Sequence, residues 1–170
     1  EMSDKNQESR AWEAEKAAQM LGLEDVFCLG YPDTKLQDYQ NDMVNDIEKI
    51  LNSINPFRLY THIGADRHQD HRAVSKVVKI AGRKIPSLYM FSSMSMLSKA
   101  TFQEYYIGKQ DLMNKKLEII STAYGSQSNG NGIVDCEKIR SMAIHFGMFA
   151  DPYSKPAAYA EPLKAGQNVR

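Results

Sequence analysis

The apolar positions of the chain alternate between helix-like stepping and short solid runs. Leu36, Tyr39, Met43, Val44, Ile47, Ile50, Leu51 and Ile54 recur by threes and fours, the period of one helix face. Asn55-Pro56 ends that run, because the residue before a proline is pushed out of helical backbone. An earlier helix over residues 10–21 places Trp12, Ala14, Ala17, Ala18 and Leu21 on overlapping faces, and Gly22 stops it. Between these helices Val26-Phe27-Cys28-Leu29 is a solid apolar run that reads as a buried strand, followed by turn chemistry in Gly30-Tyr31-Pro32-Asp33-Thr34. Phe57-Arg58-Leu59-Tyr60-Thr61 reads as a second strand. A third helix carries Val74, Val77, Val78 and Ala81, bracketed by Gly82 and Pro86, and Ser87 to Ser92 reads as a third strand. Strands alternating with helices predict an α/β fold with a parallel sheet, in which residues 26–29 and 57–61 are neighbouring interior strands. Helices are expected again over residues 109–123 and 135–147, separated by the loop 125–132. The tail from 151 to 170, rich in Pro and Ala, is expected to wrap the surface or stay flexible.

Composition narrows the function. A chain of 170 residues, 42% apolar and 25% charged, has the length and core of a single globular domain and excludes a disordered or collagen-like protein. Lys plus Arg and Asp plus Glu balance at 21 each, which disfavours a nucleic-acid partner, since phosphate binding needs a basic excess. No apolar run approaches the ~20 residues of a membrane span, and the polar start EMSDKNQESR has no signal-peptide core. Cys28 and Cys136 form no Cys-x-x-Cys pair and read as reduced, partly buried thiols, which points to the cytoplasm.

The chemistry concentrates in Thr61-His62-Ile63-Gly64-Ala65-Asp66-Arg67-His68-Gln69-Asp70-His71, where three of the four histidines lie within ten residues. The stretch follows a strand and precedes a helix, the edge at which open α/β sheets bind ligands. Imidazole serves both as a zinc ligand and as a general acid or base near neutral pH. Asp70 has two readings: a carboxylate that fixes an imidazole tautomer, or a helix N-cap alone. Three ligands from one short loop are geometrically awkward, so a metal here calls for further ligands from elsewhere. A metal enzyme using His62, His68 and His71 together is the remotest reading, because their spacing does not match the helical His-Glu-x-x-His motif. Met90, Met94 and Met96 read as adaptable core or rim, and His145 as structural. Ser92, Ser93 and Ser126 have no paired base in the sequence, so no serine nucleophile is assigned.

The run His68-Gln69-Asp70-His71-Arg72-Ala73-Val74, after a strand ending in Thr61-His62, resembles the His-x-Asp-His signature of the PIG-L/LmbE-like zinc deacetylases. The similarity continues in that family's order. Arg10-Ala11-Trp12-Glu13 followed by Leu21-Gly22 is similar to its Arg-x-x-Glu helix, and Leu29-Gly30-Tyr31-Pro32-Asp33 to its next strand and turn. The segment from Lys115 or Lys116 to Gly125-Ser126-Gln127 is similar to its Ser-Gln segment, and Tyr159-Ala160-Glu161 to its closing motif. The resemblance spans residues 8–163. It implies a Rossmann-like, mostly parallel sheet flanked by helices, a bound Zn2+, and hydrolysis of an acetyl group from an N-acetylated amino sugar or sugar conjugate. It further implies that His71 is a zinc ligand, that His68 stabilises the oxyanion or acts as acid, that Asp70 orients a histidine, and that Arg10 contacts substrate hydroxyls.

One departure matters. The family's first motif, a strand followed by His-Pro-Asp-Asp-Glu, supplies two more zinc ligands and the general base, and it is absent from this chain. Tyr31-Pro32-Asp33-Thr34 does not replace it, having Tyr where His is required and no second acid; Tyr124 stands where the Ser-Gln segment often carries His. The expectation is a domain incomplete at its N-terminus, with an upstream segment or partner chain supplying the rest, since a parallel sheet lacking a central strand exposes backbone and apolar surface. Two readings follow: a zinc-dependent N-deacetylase of a small amino-sugar substrate, or a non-catalytic carbohydrate-binding remnant of the same fold with no stable metal. The particular substrate and the oligomeric state, a homo-oligomer included, are left open by the sequence.

Overall fold

The computed structural model describes residues 2–95, 102, 104–125, 135–150 and 159–165. The chain divides into two compact units, residues 1–30 with 107–160, and residues 31–106 with 161–170.

In the first unit, α1 runs from Met2 to Leu21, longer at its start than the apolar period indicates. It ends at Gly22 with φ +72, where the Leu23 N–H reaches Ala18 O at 3.0 Å and the Gly22 N–H reaches Gln19 O at 3.1 Å. That pair of bonds closes a helix through a left-handed residue, which glycine adopts without steric penalty. Two more helices, α4 (Gln110–Ala123) and α5 (Cys136–Ala150), complete this unit's described helices. Ala17 of α1 packs on Ile119 and Ala123 of α4, and Met113 and Leu117 of α4 pack on Ile139 and Ala143 of α5. Alanine at the contact lets the helices approach closely.

The run 26–29 corrects the sequence reading. It forms no strand, and Val26, Phe27 and Leu29 are 40%, 53% and 39% exposed. A strand exists only as a ladder partner, because its N–H and C=O groups must pair. Among the described residues no strand pairs with this run, so apolar content alone does not hold it extended.

The second unit carries the sheet and the histidines. A 3-10 turn at Leu36–Tyr39 leads into α2 (Gln40–Ile54), then β1 (Arg58–His62), α3 (Gln69–Ala81) and β2 (Ser87–Phe91). These elements follow the expected helix, strand, helix, strand order. Asn55 ends α2 in left-handed backbone at φ 44, its N–H bonded to Leu51 O. Val44, Ile47 and Leu51 of α2 pack with Leu59 of β1, Ala81 of α3 and Ile85. Gly82 closes α3 beneath this cluster, and a Cβ there would lie 2.5 Å from Leu59 Cδ1 and 2.8 Å from Val78 O. Only glycine fits.

With β3 (Glu104–Gly108) and β4 (Tyr159–Ala165) the sheet order is β1-β2-β4-β3. β1 and β2 are parallel, with Arg58 opposite Ser87 and His62 opposite Phe91, so their C-terminal ends lie at one edge. β4 joins β2 antiparallel, placing Leu163 opposite Phe91. The expected α/β architecture, a sheet flanked by helices, is therefore formed. Residues 159–165 of the tail are a strand rather than a loose wrap; residues 151–158 and 166–170 lie outside the described residues. The same holds for most of the expected 125–132 loop and for Met96. Among the described residues no helix is long and apolar enough to cross a membrane.

Candidate functional site

The site lies at the C-terminal edge of the parallel pair. His62 is the last residue of β1, and the ladder continues one step further through Ile63 N–H to Phe91 O at 2.9 Å. The chain then turns through Gly64-Ala65-Asp66-Arg67 and enters α3 with His68 as N-cap. The His68 cap is made by the ring: Nδ1 accepts the Asp70 backbone N–H at 3.2 Å. This fixes the His68 tautomer. A nitrogen that accepts carries no proton, so in the neutral ring the proton sits on Nε2.

Asp66 organises the loop. Its side chain is wholly buried. Oδ1 accepts the His68 backbone N–H at 2.8 Å and the Ser95 hydroxyl; Oδ2 accepts the Ser93 hydroxyl and faces His71 Nδ1 at 3.1 Å. Burial alone would raise the Asp66 pKa. The bonds from Ser93, Ser95, the His68 N–H and His71 outweigh it and hold the carboxyl near a pKa of about 2. Hydrogen bonds to a charged group contribute about 1.5–3 kcal/mol each, enough in combination to offset the several kcal/mol that burying one ion costs. The loop backbone is held as well: the Arg72 guanidinium donates to Asp66 O at 2.9 Å and Arg67 O at 2.6 Å, and the Arg67 N–H to Ser95 O at 2.9 Å.

With Asp66 ionised, His71 Nδ1 is the donor, which in the neutral ring leaves the lone pair on Nε2. The rings form a stack. His62 and His71 are parallel within 5° with centroids 4.0 Å apart, His68 lies 4.7 Å from His71, and Phe91 backs His62 at 4.7 Å. Burial and the neighbouring His71 press the His62 pKa down to about 4, so His62 is neutral at pH 7. In metal-free protein the unfolded chain then holds a proton on this residue between pH 4 and 6.5 that the folded chain does not. Stability should therefore rise with pH through that window and be fully present above 6.5. Denaturant midpoints measured from pH 4 to 7 should show this slope, and His62→Phe, which keeps a flat ring in the stack, should flatten it.

Ligating atoms of His62, Asp66 and His71 lie within 4.8 Å of one another. They differ in what they can offer a metal. The four acceptor sites of the Asp66 carboxylate are taken by four donors. The lone pairs of parallel stacked rings lie in separate parallel planes and do not converge on one ion at ~2.0–2.1 Å. The residue that fits a metal is His71, with a carboxylate on one nitrogen and no hydrogen bond to the other among the described residues.

The residues expected from sequence are thus placed as follows. His68 and His71 are together, on adjacent faces of one helix start. Asp70 is buried, but it does not orient a histidine: its carboxylate accepts the Thr34 N–H at 2.6 Å and the Leu36 N–H at 3.3 Å, while the Gln69 amide donates to Thr34 O. The reason is its place in the first turn of α3, where the side chain meets the Pro32–Lys35 turn rather than a ring. The carboxylate on a histidine is Asp66, which the sequence reading passed over; its position two residues before His68 was the available signal. Thr34 itself sits in left-handed backbone at φ 66. Arg10 lies on α1 in the first unit and is exposed. Ser93 and Ser95 serve as donors to Asp66.

Comparison with known proteins gives concordant results. Residues 1–81 match the family described as PIG-L, GlcNAc-PI de-N-acetylase. A curated relative, the uncharacterized deacetylase YaiS of Escherichia coli K12, is 31% identical over 124 residues, which are 66% of this chain and 64% of YaiS; the chain spans somewhat under two thirds of that relative's length. Among solved structures, the conserved protein TT1542 of Thermus thermophilus superposes with a TM-score of 0.75 at 23% identity, over 96% of this chain and 75% of that one. The N,N'-diacetylchitobiose deacetylase of Pyrococcus horikoshii gives 0.69 at 18% identity, over 94% and 64%. At these identities the structures establish the shared fold.

Proposed function

We infer that this chain, which belongs to the PIG-L (GlcNAc-PI de-N-acetylase) family, serves the zinc-dependent hydrolysis of an N-acetyl group on an amino sugar or sugar conjugate. The observation that carries the reading is the pair of contacts that the two ring Nδ1 atoms of one motif make, one to a carboxylate and one to a backbone N–H. In the neutral rings, His71 donates Nδ1–H to Asp66 and presents a lone pair at Nε2, while His68 accepts the Asp70 N–H at Nδ1 and presents a proton at Nε2. One ring is set to hold a cation and the other to donate to an anion.

Zinc would be held by His71 Nε2 with further ligands from outside the described residues, and would supply Lewis-acid polarisation of a carbonyl and lower the pKa of a water. The chain's own residues do the rest. His68 Nε2–H donates to the carbonyl oxygen as negative charge develops there, an oxyanion role in which a fixed donor acts without reorganisation. His62, neutral and packed between Phe91 and His71, keeps the His71 ring from swinging. Arg10 is proposed as a contact to substrate hydroxyls, through its match to the Arg-x-x-Glu helix and the fixed fork of donors it presents. Asp70 takes no proton in this scheme; it anchors the turn at Thr34. The general base lies outside the described residues.

The test is acetate release from N-acetylglucosaminyl conjugates by the full-length protein. Release should stop on chelation and return with added Zn2+. Release that survives complete chelation overturns the zinc reading, and absence of release with stoichiometric zinc bound favours a carbohydrate-binding role.

A further inference from the structure

We propose that Asp66 is the positioning residue of the metal-binding histidine: it fixes His71 as the Nδ1–H tautomer and so aims the Nε2 lone pair at the metal, without being a ligand itself. This rests on the zinc reading above only in that it names what His71 is positioned for. Three observations carry it. The Asp66 carboxylate is buried and lies 3.1 Å from His71 Nδ1. Its remaining acceptor sites are filled by the His68 N–H and by the Ser93 and Ser95 hydroxyls, so no lone pair is left to reach a cation. With both hydroxyl protons on the carboxylate, the two serine oxygens lie 2.9 Å apart, the Ser95 N–H donates to Ser93 Oγ at 3.2 Å, and Ser95 Oγ lies 3.4 Å from His71 Nδ1, farther than the carboxylate. The carboxylate therefore meets His71 from a fixed direction, set by the segment that follows β2.

The same carboxylate bonds the His68 backbone, so one buried group sets both the proton position on His71 and the point at which the chain enters α3. A carboxylate on the distal nitrogen raises the basicity of a ligating imidazole and fixes its orientation; losing such a partner lowers metal affinity typically ~10–100-fold.

The experiment reads the tautomer directly. Nitrogen-15 NMR of metal-free full-length protein at pH 8 should show His71 protonated at Nδ1. In Asp66→Asn the amide can donate as well as accept, and the Nε2–H form should appear. Zinc titration of the two proteins should give an affinity ~10–100-fold lower for the variant. A wild-type His71 in the Nε2–H form overturns the proposal and needs no variant that folds. So does Asp66→Asn protein with unchanged tautomer and unchanged zinc affinity. Because neither readout uses turnover, a protein that shows the Nδ1–H tautomer yet releases no acetate would refute the deacetylase reading and leave the Asp66 assignment standing.

Discussion

His71→Ala is expected to leave the full-length protein without stoichiometric zinc and its acetate release at background. The argument is geometric. Among the ligating atoms gathered at the end of β1, His71 Nε2 is the one whose ring is backed by a carboxylate on the opposite nitrogen; the buried His62 Nδ1 has no hydrogen-bond partner among the described residues. His62 does not take its place, because its ring is held parallel to the vacated one and packed against Phe91. Structural and catalytic zinc sites rest on three or four protein ligands, and removing one that the fold has pre-aimed removes the site's pre-organisation with it. Metal analysis by mass spectrometry, with the deacetylation rate on the same sample, decides it. A variant that keeps one zinc per chain and a normal rate shows that His71 is no ligand.

The second large effect is expected from His68→Ala, and it should be of a different kind: zinc retained, KM little changed, and kcat lowered ~100–1,000-fold, the loss measured when one oxyanion donor is deleted. His68→Gln, which still offers an N–H, should recover part of the rate. His68 also caps α3 with its ring, and losing a cap typically costs ~0.5–2 kcal/mol. A thermal melt of each variant therefore accompanies the kinetics, since a capping loss shifts Tm while leaving the surviving folded molecules at full rate. A rate unchanged beside intact zinc would remove His68 from the chemistry.

The parts of this molecule that were readable in its sequence are those fixed by local chemistry. The three-and-four stepping from Leu36 to Ile54 fixes α2, and Gly22 and Asn55 stop helices for reasons of backbone geometry that need no neighbour. The histidine cluster could be placed between a strand end and a helix start for the same reason. What was not readable depends on partners far along the chain. Val26 to Leu29 has a strand's composition without a described strand beside it. β4 carries Pro162 in its interior, which argues against a strand on sequence alone, and its pairing with Met90 and Phe91 is a long-range event. β3 is exposed at Glu104, Tyr105, Tyr106 and Ile107, so no alternation announces it. Asp66 reads as an ordinary turn residue after Gly64-Ala65 until Ser93 and Ser95, nearly thirty residues later, fold onto it. The sequence leaves Asp70 open between a histidine partner and a helix cap, and only the family resemblance gives it to a histidine; its carboxylate's partners, Thr34 and Leu36, lie more than thirty residues upstream.

That last pairing makes Asp70 a mechanical link. Its backbone N–H holds the His68 ring, while its carboxylate holds the N–H of Thr34, a β-branched residue kept in left-handed backbone. A conformation of that kind costs about 1–3 kcal/mol and persists only where its surroundings over-determine it. The turn at Pro32–Lys35 is therefore a loaded element, and the restraint on it ends on the same residue that sets the His68 tautomer. The turn and the ring are thus joined through one side chain and one peptide group, with no loop between them.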